Sequence, residues 1–275
     1  MHWQTARFRI DLAQPRVMGI VNVTPDSFSD GGRHHSTRAA LAHCERLVAE
    51  GADILDLGAE SSRPGSPPVP LDEELGRLLP VLRGVVTLGV PVSVDTYKPE
   101  AMRECLDAGA DIVNDIWALR QPGAREAAAA HPSCGVCLMH MHGEPRTMQQ
   151  STMEGDAVAQ VRVFLEEQVQ ALRALGVGAD RIVVDPGIGF GKTVAQNFAL
   201  LARQGELLRA GNAVLAGWSR KSSLGHVTGM DVGDRMVPSV AAALLAVERG
   251  ARIVRVHDVR ETVAALKVWR ALQQD

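Results

Sequence analysis

Asp95, Asn114, Asp185 and Lys221 are spread widely along the chain, yet each stands at or just beyond the end of a short apolar run. The runs are PVSVD, DIVND, RIVVD and AVLAGW. Ionised carboxylates accept hydrogen bonds, an amide donates and accepts, and an ammonium only donates. Together they suit the donor and acceptor edge of a flat nitrogen heterocycle, much as side chains read base edges. Arg63, Arg255 and His257 form a second set, suited to a multiply charged phosphate group, with Asn22 and Asp30 as oxygen ligands for Mg2+. Ser219, Arg220, Lys221 and Ser222 precede an expected helical turn whose backbone N–H groups suit a carboxylate. The plain alternative is a polar rim of salt bridges without function.

Three other patterns point to chemistry that the chain does not complete. DPGIGFGKT has Pro186 where a P-loop needs glycine and Lys192 where a dinucleotide fingerprint needs glycine. Its glycines are expected to turn the backbone sharply out of a strand and to leave space for a flat ligand beside Phe190. His140 and His142 form an H-x-H pair, but a metallohydrolase centre needs further strand-end histidines, and only His257 is so placed. Cys134 and Cys137 form a C-x-x-C without a second ligand pair, so these and Cys44 and Cys105 are expected as buried reduced thiols.

To bring such residues together the chain needs strands with their ends at one rim. Eight apolar runs recur: VMGIVN, DILDLG, PVSVD, DIVND, GVCLMH, RIVVD, AVLAGW and RIVRVH, the second carrying Asp56 within it and Glu60 just beyond as residues able to hold a polar ligand. Runs without polar alternation are what strands buried on both faces require. Helical stretches separate them, so the pattern predicts an α/β fold, a (β/α)8 TIM barrel with its active site at the C-terminal ends of the strands. Glycine joints between helix and strand are expected at Gly51, Gly109, Gly178 and Gly250. Ser36 is expected to cap a helix with Leu41, Cys44 and Val48 on its apolar face, and Pro99 to open another with Met102 and Leu106. The longest helix is expected to carry Val158, Val161, Leu165, Leu172 and Leu175, and Asp258 with Glu261 to form a capping box. The fourth helix, Arg125 to Ala130, is short, and His142 to Gly155 reads as a connector.

Two connectors are longer than simple turns: Asn22 to Ser36, rich in Ser, Asp and Gly around Phe28, and the proline-rich Glu60 to Pro70. Such loops suit closure over a substrate and exclusion of water. A chain of 275 residues fits one barrel, so residues 1–275 are read as a single domain. A net charge of -3 gives no basic field and makes nucleic acid a poor default partner. Val17 to Val23 is too short to span a bilayer, and no signal-peptide core or cleavage site is evident, which predicts a cytoplasmic protein without membrane association.

The strings MGIVNVTPDSFSDGG, ESSRPG, SVDTYKPE, NDIWAL, MHMHGEPRTMQ, DPGIGFGK, WSRKSS and RVHDV run from Met18 to Val259. In type and order they resemble the signatures of the dihydropteroate synthase family. The resemblance implies a cytoplasmic, usually homodimeric transferase of folate biosynthesis. It joins 6-hydroxymethyl-7,8-dihydropterin pyrophosphate to p-aminobenzoate, depends on Mg2+ and is inhibited by sulfonamides. It further implies that Asp95, Asn114, Asp185 and Lys221 bind the pterin, with Arg255 stacked on its ring and Ile116, Met139 and Gly217 lining the pocket. Asn22, Ser62, Arg63, Arg255 and His257 would bind pyrophosphate, and Asn22 and Asp30 the Mg2+. Pro64, Phe190, Lys221, Ser222 and Phe28 would form the aminobenzoate site. Lys221, Arg63, Arg255, His257 and Asp30 are thereby the catalytic candidates. The chain departs from the common family pattern at Ala59, Ser62 and His142. Two other activities share part of the pattern: a pterin-binding methyltransferase barrel, which needs no combination of Arg63, His257 and a magnesium loop, and a catalytically silent pterin-binding subunit, which would lack a lid or the lysine.

Overall fold

The structure is a computed structural model, and it describes residues 1–24, 32–61, 66–144, 147–148 and 151–272, the side chains of 32–36 and of 210 excepted. The expected strands form as β3 (Arg16–Asn22), β4 (Ile54–Gly58), β5 (Val92–Asp95), β6 (Ile112–Asp115), β7 (Gly135–Met139), β8 (Ile182–Asp185), β9 (Ala213–Ala216) and β10 (Ile253–Val256), after an N-terminal pair, β1 (His2–Gln4) and β2 (Arg9–Asp11). Strands β3 to β10 pair in parallel in chain order, and β10 returns to β3 to close the barrel. Between and after them lie α1 (Gly32–Ala49), α2 (Leu71–Val85), α3 (Pro99–Asp107), α4 (Ala124–Ala130), α5 (Ala157–Arg173), α6 (Val194–Ala202), α7 (Ser222–Thr228), α8 (Met236–Glu248) and α9 (Val259–Ala271). Two of the runs stop one residue earlier than their sequence suggested, so His140 and His257 are the first residues beyond β7 and β10.

Both faces of each barrel strand are covered, which is why the runs show no polar alternation. Outward residues such as Val21, Leu57, Val94, Val113, Leu138, Val184 and Val254 pack under the helices. Inward residues near the strand N-termini, among them Met18, Ile54, Ile112, Cys137, Val183, Leu215 and Ile253, form a separate apolar core. The β1–β2 hairpin seals that end of the barrel. Trp3, fully buried, and Leu12 join the interior core, and the indole Nε1 of Trp3 donates to Arg181 O at 2.9 Å. Further along the same inward face the strands turn polar, with Asp56, Asn114 and Asp185 buried.

The joints and caps differ from expectation in detail. Gly51, Gly109 and Gly250 adopt φ values of 102°, 102° and 95°, whereas before β8 the left-handed joint is Gly176, at 88°, in place of Gly178. α1 begins at Gly32, so Ser36 lies inside it, and at 18 residues it is one longer than α5, expected to be the longest. In α5, Val158, Val161, Leu165 and Leu172 are buried, but Leu175 lies past its end and is 47% exposed. The Asp258–Glu261 capping box does not form, because the Asp258 carboxylate turns away to the guanidinium of Arg220, 2.6 Å from Nη2.

Candidate active site

The inward period of two along each strand carries the site from the sealed end to the open rim. Arg255 on β10 reaches across the barrel, donating from Nε to Asp56 Oδ2 at 2.6 Å and from Nη2 to Asp95 Oδ2 at 2.9 Å. Asn114 on β6 directs its Nδ2 toward both oxygens of Asp56, at 3.4 and 3.3 Å. Asp185 ends β8 and accepts Gly187 N–H at 2.7 Å; burial raises its carboxyl above the ordinary range, opposed by that hydrogen bond and by the nearby charges of Lys221 and Arg255. Asp185, Lys221 and Arg255 therefore converge on one region. Asp56 and Asp95 share one guanidinium, and burial raises the Asp95 carboxyl above the ordinary range despite Arg255. Arg255 stays charged between them.

Lys221 follows a left-handed turn at Arg220, φ 58°, which the Ser239 hydroxyl stabilises by accepting Arg220 N–H at 2.8 Å. That turn aims the lysine inward, its Nζ lying 4.2 Å from the centroid of the Phe190 ring. Burial pushes the ammonium down to about 8, opposed by Asp185. Phe190, Met139, Ile116, Met141 and Met148, with Tyr97 and Trp117 against them, make an apolar wall beside these charges. Gly217 borders the Asp185 carboxylate, a Cβ there lying at an ordinary contact distance of 3.8 Å from Oδ2.

The glycines of DPGIGFGKT turn the backbone sharply out of β8 as expected, with φ of 66°, 84° and 67° at Gly187, Gly189 and Gly191. A Cβ on Gly187 would lie 1.8 Å from His140 O, so this glycine permits a close crossing of two loops. The room beside Phe190 is taken in this state by Lys221. Lys192 is buried and donates to the carbonyls of His140, Gly187 and Phe190 at 3.3, 2.9 and 3.0 Å, fastening the segment from within. Burial first, then Arg255 and Arg220, push the His257 imidazole down to about 3, so it is neutral in the unliganded cavity. Its Nδ1 lies 2.9 Å from Ser219 Oγ, which accepts the His257 backbone N–H at 3.1 Å.

Asn22 ends β3 on the inward face, half-buried, and pairs in register with Gly58. Its amide oxygen is a hard donor suited to Mg2+. Among the described residues no three His, Cys, Asp or Glu side chains are grouped as metal ligands. A single amide oxygen such as that of Asn22 is chemically compatible with an ion that keeps water and takes phosphate oxygens, the usual habit of Mg2+. Ser222 opens α7 and is exposed. Phe28, Asp30, Ser62, Arg63 and Pro64 lie outside the described residues.

Sequence reasoning marked Asp56 only as a residue able to hold a polar ligand and gave no role to Glu74, Asp115 or Lys192. Asp115 is pushed up to about 7 by burial and accepts the N–H groups of Trp117 and Leu119 at 2.8 Å each, shaping the turn after β6. Glu74, 1% exposed, accepts from Lys98 Nζ at 2.5 Å and Thr96 Oγ1 at 2.6 Å. Lys98 also reaches Glu60 Oε2 at 2.7 Å, and Glu60 accepts Val69 N–H at 3.1 Å, tying together both ends of the β4–α2 connector. For Asp56 and Asp115 the available signal was a charged residue inside an apolar run; Glu74 and Lys192 carried none.

Residues 18–257 match the family of pterin binding enzymes. The chain is 48% identical over 276 residues to the dihydropteroate synthase of Neisseria meningitidis serogroup B, covering 98% of this chain and 97% of that one. It is similar to the structure of Xanthomonas albilineans dihydropteroate synthase with 4-aminobenzoic acid, with a TM-score of 0.94, 49% identity and full coverage of both chains, 100% and 100%. Burkholderia cenocepacia dihydropteroate synthase complexed with 7,8-dihydropteroate is similar with a TM-score of 0.90 and 50% identity, over 99% of this chain and 96% of that one.

Proposed function

The chain belongs to the dihydropteroate synthases, within the pterin-binding enzymes, and we infer that it joins 6-hydroxymethyl-7,8-dihydropterin pyrophosphate to p-aminobenzoate, giving 7,8-dihydropteroate and pyrophosphate in folate biosynthesis. The observation that carries this reading is the meeting of Asp95, Asn114, Asp185, Lys221 and Arg255 beside an apolar wall at one rim of the barrel. Asp95, Asn114, Asp185 and Lys221 hold the polar edge of the pterin, Arg255 covers its face, and Ile116, Met139 and Gly217 bound the pocket. Asn22, Ser62, Arg63, Arg255 and His257 hold the pyrophosphate. Phe190 and Lys221, already in contact, make the aminobenzoate site with Pro64, Ser222 and Phe28.

In the reaction the bond between the exocyclic CH2 and the pyrophosphate oxygen breaks, the aminobenzoate nitrogen bonds to that carbon, and the amine loses a proton. The electron-rich ring lets C–O cleavage run ahead of attack, so positive charge grows on the pterin and negative charge on the leaving group. Arg63 and Arg255 stabilise the leaving group, and Asp95 or Asp30 the cation. A neutral aromatic amine needs no strong base. Mg2+, held by Asn22 and Asp30, would supply further neutralisation of the pyrophosphate.

We further propose residues 1–275 as one domain of a cytoplasmic enzyme that sulfonamides inhibit by mimicking aminobenzoate. Among the described residues no helix is long and apolar enough to cross a membrane. A homodimer is supported by apolar side chains left exposed around α7 and α8: Val227, Met230, Val232, Val237 and Leu245. The test of function is pyrophosphate release. It is expected only with both substrates, in equal amount with dihydropteroate; release without aminobenzoate, or transfer of a methyl group to a corrinoid partner, would overturn the reading.

A further inference from the structure

Asp56 is fully buried on the inner face of β4, two residues below Gly58, and its register partner on β5 is Ser93, one step below the rim residue Asp95. Gly58 has no side chain to roof it, so Arg255 can reach down to Asp56 while also holding Asp95. An ionised carboxylate only accepts, so the Asn114 side chain must present its NH2 to Asp56, which turns the amide oxygen away from it. The same carboxylate takes the Nε edge of Arg255 and fixes the plane of its guanidinium.

Resting on the functional reading above, we propose that Asp56 is a positioning residue for pterin selection, setting Asn114 as a hydrogen-bond acceptor toward the cavity and Arg255 as a flat cover over the ring. Asp56 itself touches no substrate. With Asp56→Asn the shape is kept but the obligation on Asn114 is lost, because an amide can meet an amide in either orientation.

The test uses calorimetry of the free pterin 6-hydroxymethylpterin with the full-length enzyme, alongside thermal unfolding and steady-state kinetics. Asp56→Asn is expected to weaken pterin binding on the order of tenfold and to raise KM for the pterin substrate while leaving KM for aminobenzoate in place. Asn114→Asp, which sets two carboxylates against each other, is expected to bind poorly. The swap Asp56→Asn with Asn114→Asp restores a donor below and an acceptor above, so it is expected to recover part of the binding, a result that a merely structural role does not give. Wild-type affinity in Asp56→Asn would overturn the proposal. So would a swap that binds no better than Asn114→Asp, and this comparison remains available if Asp56→Asn alone folds poorly. Failure of the wild-type enzyme to bind the pterin at all would instead overturn the functional reading.

Discussion

A lysine that sheds water to reach the cavity gives up its proton more readily than one on the surface, and Lys221, pushed down to about 8, is in that position. It is a cation below that pH and neutral above it, so kcat/KM for the pterin substrate is expected to fall as pH rises through about 8. A pH–rate profile of wild type against Lys221→Arg checks this: the arginine variant, whatever its absolute rate, should lose the alkaline limb, and an unchanged limb would assign it to another group. Lys221→Ala should lose most turnover, read as kcat/KM in the same assay. Residue identity at strand ends was legible in the sequence because an acid or amide closing an apolar run is conspicuous: Asp95, Asn114 and Asp185 meet as expected. Protonation was not legible. His257 is neutral in the unliganded cavity because of burial, of Arg255 two residues before it, and of Arg220, and neither the burial nor Arg220 is disclosed by spacing along the chain. Nor was the role of Asp56 legible, since its importance lies in two side chains from distant strands.

The strands were legible as elements because burial on both faces writes an unbroken apolar run, while the β1–β2 hairpin, with strands of 3 residues each, was too short to show a period. Connectors were the hardest to read, being held by contacts to other connectors. The segment after β8 is one case. With φ of 66° and His140 O at 1.8 Å from any added Cβ, Gly187→Ala is expected to cost about 3 kcal/mol or more, measured by urea unfolding, together with weaker pterin binding. Wild-type stability would mean that the two loops do not cross so closely. The β4–α2 connector is the other case. Removing Lys98 leaves Glu74, 1% exposed, with an uncompensated charge. Lys98→Met is therefore expected to destabilise by about 3 kcal/mol. Adding Glu74→Gln should recover part of that loss in the same unfolding experiment, and no recovery would remove Glu74 as the cause.

At the scale of the molecule the barrel is divided along its axis into an apolar, hairpin-sealed end and a polar, open end. Stability and chemistry are thereby separable. Trp3→Ala, at the sealed end, is expected to cost about 3–5 kcal/mol, seen as a lower midpoint of unfolding, with kcat/KM unchanged below the transition. The sequence located the open end through its strand termini, but the division itself depends on closure of β10 onto β3, a contact between residues at opposite ends of the chain. Closure is also what brings Arg255 and Asp185 to one cavity. The most direct measurement is a double-mutant cycle on kcat/KM for pyrophosphate release with Asp185→Asn and Arg255→Met. Shared contact with one bound pterin predicts that the combined loss falls well short of the product of the two single losses; strictly multiplicative losses would contradict a single cavity.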